Sequence, residues 1–315
     1  MPVVNEMESY VEKVLGSSLG TTSFLRALRP ELVEDLRFLD KGIKDYGTPD
    51  IFARKAYLSN NLDEYEKIKR TLCFYLILIQ LINGVDKRYY AFLAAVIDRI
   101  GSDYSIRENL KIATWNYDIQ LISALSELTS QNISVLNQKF GPLTDSLHSA
   151  KLKRNLFFRL NGYAASSFFM DGNQKYVTAD AFDFIYNQKT NPSEKVIDLN
   201  KLFLASKNGE YLFNIRFAWE NESSFERDLK DTINSISDTE ILVVIGYSFP
   251  NFNRDVDKRL FSAMPNLRKI YLQDKFNYIE SRILPLLDED IAKQINRSST
   301  EFSSDIGQFL IPHEL

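Results

Sequence analysis

Apolar residues recur at helical spacing through roughly the first hundred positions. Tyr10, Val11, Val14 and Leu15 share one helical face, and Leu32, Leu36 and Leu39 repeat the pattern. Two longer helical segments are predicted next, Leu62 to Asn83 and Asp86 to Ile100, the second with Asp86, Lys87 and Arg88 in its first turn. The pattern then changes. Leu110 to Trp115 predicts a strand, followed by a turn and a helix from about Asp118 to Thr129. Ile133 to Leu136 and Leu156 to Leu160 predict short strands, with a loop from Gly141 to Ser149 between them, and Tyr211 to Trp219 predicts another strand. A helix from about Ser223 to Ile236 leads into Ile241-Leu242-Val243-Val244-Ile245-Gly246. That run is continuously apolar, as a parallel strand covered on both faces requires. A helix from Asp255 to Phe261 and a strand from Lys269 to Gln273 complete a strand–helix–strand unit of the size of a right-handed crossover.

Apolar strands alternating with helices predict an α/β protein with a Rossmann-like, doubly wound parallel sheet and a helical N-terminal or inserted part. One domain over 1–315 is expected, mainly helical to residue 108 and sheet-based from 109.

Composition narrows the chemistry. With 44% hydrophobic residues and a formal charge of −4, the chain is far from the disordered regime. The single cysteine, Cys73, excludes an intramolecular disulfide and any zinc site built from several thiolates. Only His148 and His313 remain as imidazole ligands, so no metal is expected. A pI near 5.5 argues against an extended phosphate-binding surface and hence against direct nucleic-acid binding. The local cluster Lys151, Lys153 and Arg154 reads as a solvated edge before a strand. The first residues, Met1-Pro2-Val3-Val4-Asn5-Glu6, lack the basic start and apolar run of a signal peptide. The most apolar stretch, Leu72 to Ile82, falls short of the ~20 residues of a spanning helix. It is bracketed by Lys67, Lys69, Arg70 and Asp86. A core helix, no membrane and a cytoplasmic location are therefore expected.

In doubly wound sheets, ligands bind outside the carboxyl ends of the strands, where strand order reverses. Three such ends stand out: Thr114-Trp115-Asn116-Tyr117-Asp118, Leu160-Asn161-Gly162-Tyr163, and Gly246-Tyr247-Ser248-Phe249-Pro250. Asp118 reads equally as the N-cap of the following helix and as a carboxylate that binds sugar hydroxyls together with the Asn116 amide. Gly246 permits close backbone approach, and Ser248 offers a hydroxyl and an amide to a phosphate, although a plain Gly-containing turn is common. Gln273 and Asp274 end the next strand, where an acidic side chain can bind an adenosine ribose; an ordinary polar strand end fits them equally.

In this order, Thr114 to Asp118, Leu160-Asn161-Gly162, and Ile245 to Pro250 with Phe252-Asn253-Arg254 resemble the SIR2-like family of bacteria. Asp50-Ile51-Phe52-Ala53-Arg54-Lys55-Ala56 resembles the family's helical insert, and Ile215 to Glu220 one of its strands. The resemblance runs the length of the chain. It implies a Rossmann-like NAD-binding domain, in a family that includes protein deacylases and NAD-hydrolysing enzymes of antiphage defence. Because the deacylases usually carry a four-cysteine zinc module, it points here to an NAD glycohydrolase and away from a zinc-dependent deacylase. By the same resemblance, Asn116, Asp118 and Asn161 are the catalytic candidates. Thr114, Tyr117, Gly162, Gly246, Tyr247, Ser248, Gln273 and Asp274 are the candidates for holding NAD.

Two departures qualify this. The family usually has a histidine before the glycine at the second strand end, where this chain has Asn161. An amide takes no proton at neutral pH, and general-base help is typically worth ~10²–10⁴-fold. The family also opens with a strand and a glycine-rich phosphate loop, whereas the first forty residues here offer only Gly16 and Gly20, after a helical pattern. The sequence therefore leads to the expectation that the chain starts after its phosphate loop, leaving the sheet open beside the strands at Ile112 and Val243. The alternative to an NADase is a catalytically inactive module that senses NAD or ADP-ribose, or binds a protein partner or a second copy of itself.

Overall fold

The computed structural model describes residues 27–101, 103–140, 156–171, 174–177, 192–209, 211–220, 223–295 and 299–315. The helical face from Tyr10 to Leu15, the Gly16–Gly20 stretch, the loop at 141–149 with His148 and the basic cluster at 151–154 lie outside these residues. The first part is helical as expected: α1 (Pro30–Tyr46), α2 (Pro49–Leu58) and α3 (Leu62–Asn83). Caps fix the starts of two of them. Thr48 Oγ1 accepts from Ile51 N at α2, and Asn61 Oδ1 from Glu64 N at α3. Leu72, Cys73, Phe74, Tyr75, Ile77, Leu78 and Ile79 of α3 are buried against Leu32, Leu36 and Leu39 of α1. No single helix among the described residues is long and apolar enough to cross a membrane.

The helix predicted from Asp86 to Ile100 is shorter. α4 (Lys87–Val96) stops where Ile97–Ile100 becomes β1, paired antiparallel with β2 (Asp103–Ile106). Gly101, at φ +64°, closes this hairpin, and β-branched Ile97 favours the extended form. β3 (Ile112–Thr114) and α5 (Gln120–Thr129) follow as expected. The strand predicted at Ile133 to Leu136 is instead the start of α6 (Ile133–Phe140). Ile133, Leu136 and Phe140 lie three and four residues apart and are all buried, a helical period that a four-residue window does not reveal. β4 (Phe157–Arg159) pairs parallel with β3, Ile112 opposite Phe157.

A separate antiparallel sheet comes next. It has the order β6 (Gln174–Val177), β5 (Gly162–Asp171), β7 (Tyr211–Ile215), with α7 (Pro192–Lys207) between β6 and β7 in sequence. β7 is shorter than the predicted strand because the chain leaves the ladder after Ile215. The next elements follow the expectation closely: α8 (Ser223–Ser235), β8 (Ile241–Ile245), α9 (Arg254–Ser262) and β9 (Lys269–Gln273); α10 (Ile279–Ile283), α11 (Glu289–Gln294) and β10 (Thr300–Ser303), which the sequence pattern did not predict, come after them. β8, β9 and β10 form a parallel sheet in the order β10-β9-β8.

The fold is thus mixed α/β, with its parallel strands in two small sheets, β3-β4 and β8-β9-β10. Among the described residues no ladder joins them, so β3 and β8 each carry one unpaired edge. Side chains bridge the two sheets instead. Leu160, just after β4, packs with Phe225 and Leu229 of α8 and Val256 of α9. Elsewhere Tyr89 of α4 meets Phe309 edge-on at 4.8 Å, and Arg88 Nη1 donates to Ile306 O at 3.2 Å.

Candidate functional site

The ends of β3, β4 and β8 converge on Trp115. Its indole stacks on the Tyr247 ring, centroids 6.0 Å apart and planes 17° from parallel. Its carbonyl accepts from Asn161 Nδ2 at 3.0 Å. Trp115, Asn161 and Tyr247 stand one or two residues past their strands, so the three sequence motifs meet on the carboxyl side of both parallel sheets.

Around this centre the candidate residues divide by what occupies their polar atoms. Asn116 is exposed; its main-chain N donates to Thr114 Oγ1 at 3.0 Å, which fixes the turn and occupies the Thr114 hydroxyl. The Asn116 side chain hydrogen-bonds the Tyr89 hydroxyl, whose pKa is pushed up by burial and by the nearby Asp118 and Asp86 carboxylates. Asp118 Oδ1 accepts from Gln120 N, the first residue of α5, at 2.9 Å; the N-cap position itself is Ile119, so Asp118 acts one residue before the expected cap. Burial raises the pKa of that carboxyl, while the Gln120 bond and the charge of Arg159 oppose the rise. Tyr117 turns away from the strand ends, its hydroxyl donating to Asp50 Oδ1 at 3.3 Å and its ring packing on Phe217. Burial pushes the Asp50 carboxyl up to about 6, against the pull of the Tyr117 bond.

Asn161 is buried. Its Nδ2 ties β4 to β3, and its Oδ1 has no hydrogen-bond partner. Gly162 serves packing: at φ +69°, a Cβ there would lie 2.0 Å from Asn214 O on β7. Gly246 differs. It is exposed at φ +60°, and a Cβ would meet nothing within 4 Å, so the space in front of it is open. Tyr247 anchors that turn. Its hydroxyl donates to the Asp257 carboxylate at 3.0 Å and accepts from Asn253 Nδ2 at 2.8 Å. Ser248 is exposed, and its carbonyl accepts from Arg282 Nη1 at 2.6 Å. Gln273 is buried, its amide wholly engaged: Nε2 donates to Asp305 O and Gln308 O, and Oε1 accepts from Leu310 N. It holds the C-terminal segment in place, and no polar atom of its side chain is left for a ribose. Asp274 Oδ1 accepts from Phe276 N at 3.1 Å and shapes the next loop.

Asp257, Asn253, Tyr89 and Asp50 also belong to this neighbourhood; Asn253 and Asp50 lie in motifs that carry the resemblance but were not among the site candidates, and Asp257 and Tyr89 stood in no motif. Asp257 is 2% exposed, and burial lifts its carboxyl to about 7 against hydrogen bonds from Tyr247 and Trp115. Asp257 sits inside an ordinary polar stretch of α9, and Tyr89 and Asp50 come from helices distant in sequence from the strand ends, so no local pattern joined them to the site. Comparison with family models, with curated proteins and with solved structures returns no match.

Proposed function

We propose that this chain binds NAD at the joined ends of β3, β4 and β8 and cleaves the bond between nicotinamide and ribose. The observation that carries the reading is the convergence on Trp115 of three segments far apart in sequence. Each contributes a polar or glycine residue of the kind a dinucleotide needs. On this reading β4-β3 and β8-β9-β10 are the two halves of one doubly wound sheet, in the order β4-β3-gap-β8-β9-β10. The gap is then the point where strand order reverses, and such points bind nucleotides.

In this arrangement Gly246 and Ser248 face the pyrophosphate, where the open space before Gly246 admits close backbone approach. Asn116, the exposed amide, orients the nicotinamide ribose or the attacking water. The second oxygen of Asp118, with Oδ1 held by Gln120, is free to accept from ribose hydroxyls. Cleavage passes through an oxocarbenium-like state, as in other glycoside cleavages. Asp118 supplies negative potential beside the developing cation, Asp86 being paired with Arg88, and positioning supplies the rest.

A second reading, binding of NAD or ADP-ribose without turnover, is favoured by Asn161. Its NH₂ group is tied to Trp115 and an amide cannot act as base, so it takes over no histidine's role. A setting in bacterial antiphage defence, and a protein or self-association partner, rest on the sequence resemblance alone.

Incubating the protein with NAD and separating nicotinamide from ADP-ribose by chromatography tests both readings. The expected result is release of nicotinamide by the native chain and none by Asn116→Ala. The stability of that variant should stay within ~1 kcal/mol because the side chain is exposed. Binding without release selects the second reading, and turnover unchanged in Asn116→Ala removes Asn116 from the chemistry.

A further inference from the structure

The loop after β9 carries two large aromatic residues that the core does not use. Phe276 is 58% exposed and Tyr278 45% exposed, yet their rings stack on each other at 5.7 Å with planes 18° apart. Single exposed apolar side chains are ordinary on protein surfaces. A parallel pair beside a proposed ligand edge is less so. Three contacts fix its place. Asp274 Oδ1 accepts from Phe276 N, which sets the bend that carries the first ring. The Arg282 guanidinium lies 4.8 Å from the Tyr278 centroid. The same guanidinium donates from Nη1 to Ser248 O at 2.6 Å, which ties the aromatic pair to the Gly246–Ser248 turn.

From this we infer that Phe276, Tyr278 and Arg282 form the adenylate subsite of the NAD site, the adenine stacking on the exposed aromatic pair and Arg282 meeting a phosphate. The inference rests on the NAD reading above. A purine offers a flat apolar face of the right character for a solvent-exposed aromatic surface, and aromatic side chains bind bases in this way without reading their edges. Arg282 is exposed and has further N–H donors beyond the bond to Ser248, in the planar geometry that suits a phosphate. It stands next to the turn whose main chain is open at Gly246. Gln273 cannot contribute, because its amide is engaged with the C-terminal segment, so base recognition falls to the next residues along the chain.

The test compares two probes, ADP-ribose and nicotinamide mononucleotide, by ligand-observed NMR up to millimolar concentration. The proteins are the native chain, Phe276→Ala/Tyr278→Ala and Arg282→Gln. Both rings and the guanidinium are exposed, so circular dichroism should show all three folded alike. The double variant is expected to weaken ADP-ribose binding about tenfold or more, the range of base stacking, and to leave nicotinamide mononucleotide unchanged. Arg282→Gln is expected to weaken ADP-ribose binding and to reduce its dependence on salt. Native-like ADP-ribose affinity in the double variant, or an equal loss for both probes, overturns the subsite while the NAD reading stands. Failure of the native chain to bind either probe overturns the NAD reading itself, and the subsite with it.

Discussion

Asp257 keeps a carboxyl inside the protein, between Tyr247 and the Trp115 indole, with its pKa lifted to about 7. Asp50, beneath Tyr117, is lifted to about 6. In the unfolded chain both titrate near 4. A folded pKa above the unfolded one means that the native state holds more protons between those values, so its stability falls as pH rises. The loss should run from about pH 4 to 6 for Asp50 and to 7 for Asp257, at no more than ~1.4 kcal/mol per pH unit for each group. Asn in place of Asp257 keeps the shape and removes the charge. We therefore expect the melting temperature of the native protein to drop between pH 5 and 7.5 and that of Asp257→Asn to drop less. Parallel melting curves for the two proteins across that range would show that Asp257 ionises without strain. Asp118, also raised by burial, has its charged form favoured by the bond from Gln120 N at the start of α5, which occupies one of its two oxygens.

Glycines at the ends of elements look alike in sequence and differ in the structure. Gly162 opens β5 at φ +69° with Asn214 O of the neighbouring strand where a Cβ would go, whereas Gly246 ends β8 at φ +60° facing open space. Gly162→Ala should thus cost roughly 3 kcal/mol or more, combining backbone strain with a clash against main chain. Gly246→Ala should cost only the ~1–2 kcal/mol of a left-handed alanine, yet weaken nucleotide binding. Urea denaturation measures both, and equal losses would mean that the two turns do the same job. This contrast marks what sequence reading could reach. Long amphipathic helices, the apolar run at Ile241–Ile245 and the turns after it were legible because local periodicity and turn chemistry decide them. The hairpin at Ile97–Ile106, the helix at Ile133–Phe140, the strands β5 and β6 and their pairing with the expected β7 were not. Each is decided by pairing or burial against residues outside the window. The three strand-end motifs were likewise visible, but which of their side chains stay free was not. Asn161, Gly162 and Gln273 are engaged by partners up to dozens of residues away.

At the scale of the whole molecule, the two parallel sheets share side-chain contacts through Leu160 and Trp115, while no ladder among the described residues joins β3 to β8. β8 is wholly apolar, and an edge of that composition is a pairing liability unless something covers it. Its residues Ile241, Leu242 and Val243 are only partly buried and Ile245 is 38% exposed. On the NAD reading the phosphates meet the Gly246–Ser248 turn and the Arg282 guanidinium, so charge carries much of their hold. NAD affinity should therefore fall several-fold between about 50 and about 300 mM salt, and Arg282→Gln should remove most of that dependence. Calorimetry at the two salt concentrations checks this, and an affinity that ignores salt would place the phosphate site elsewhere than beside Gly246.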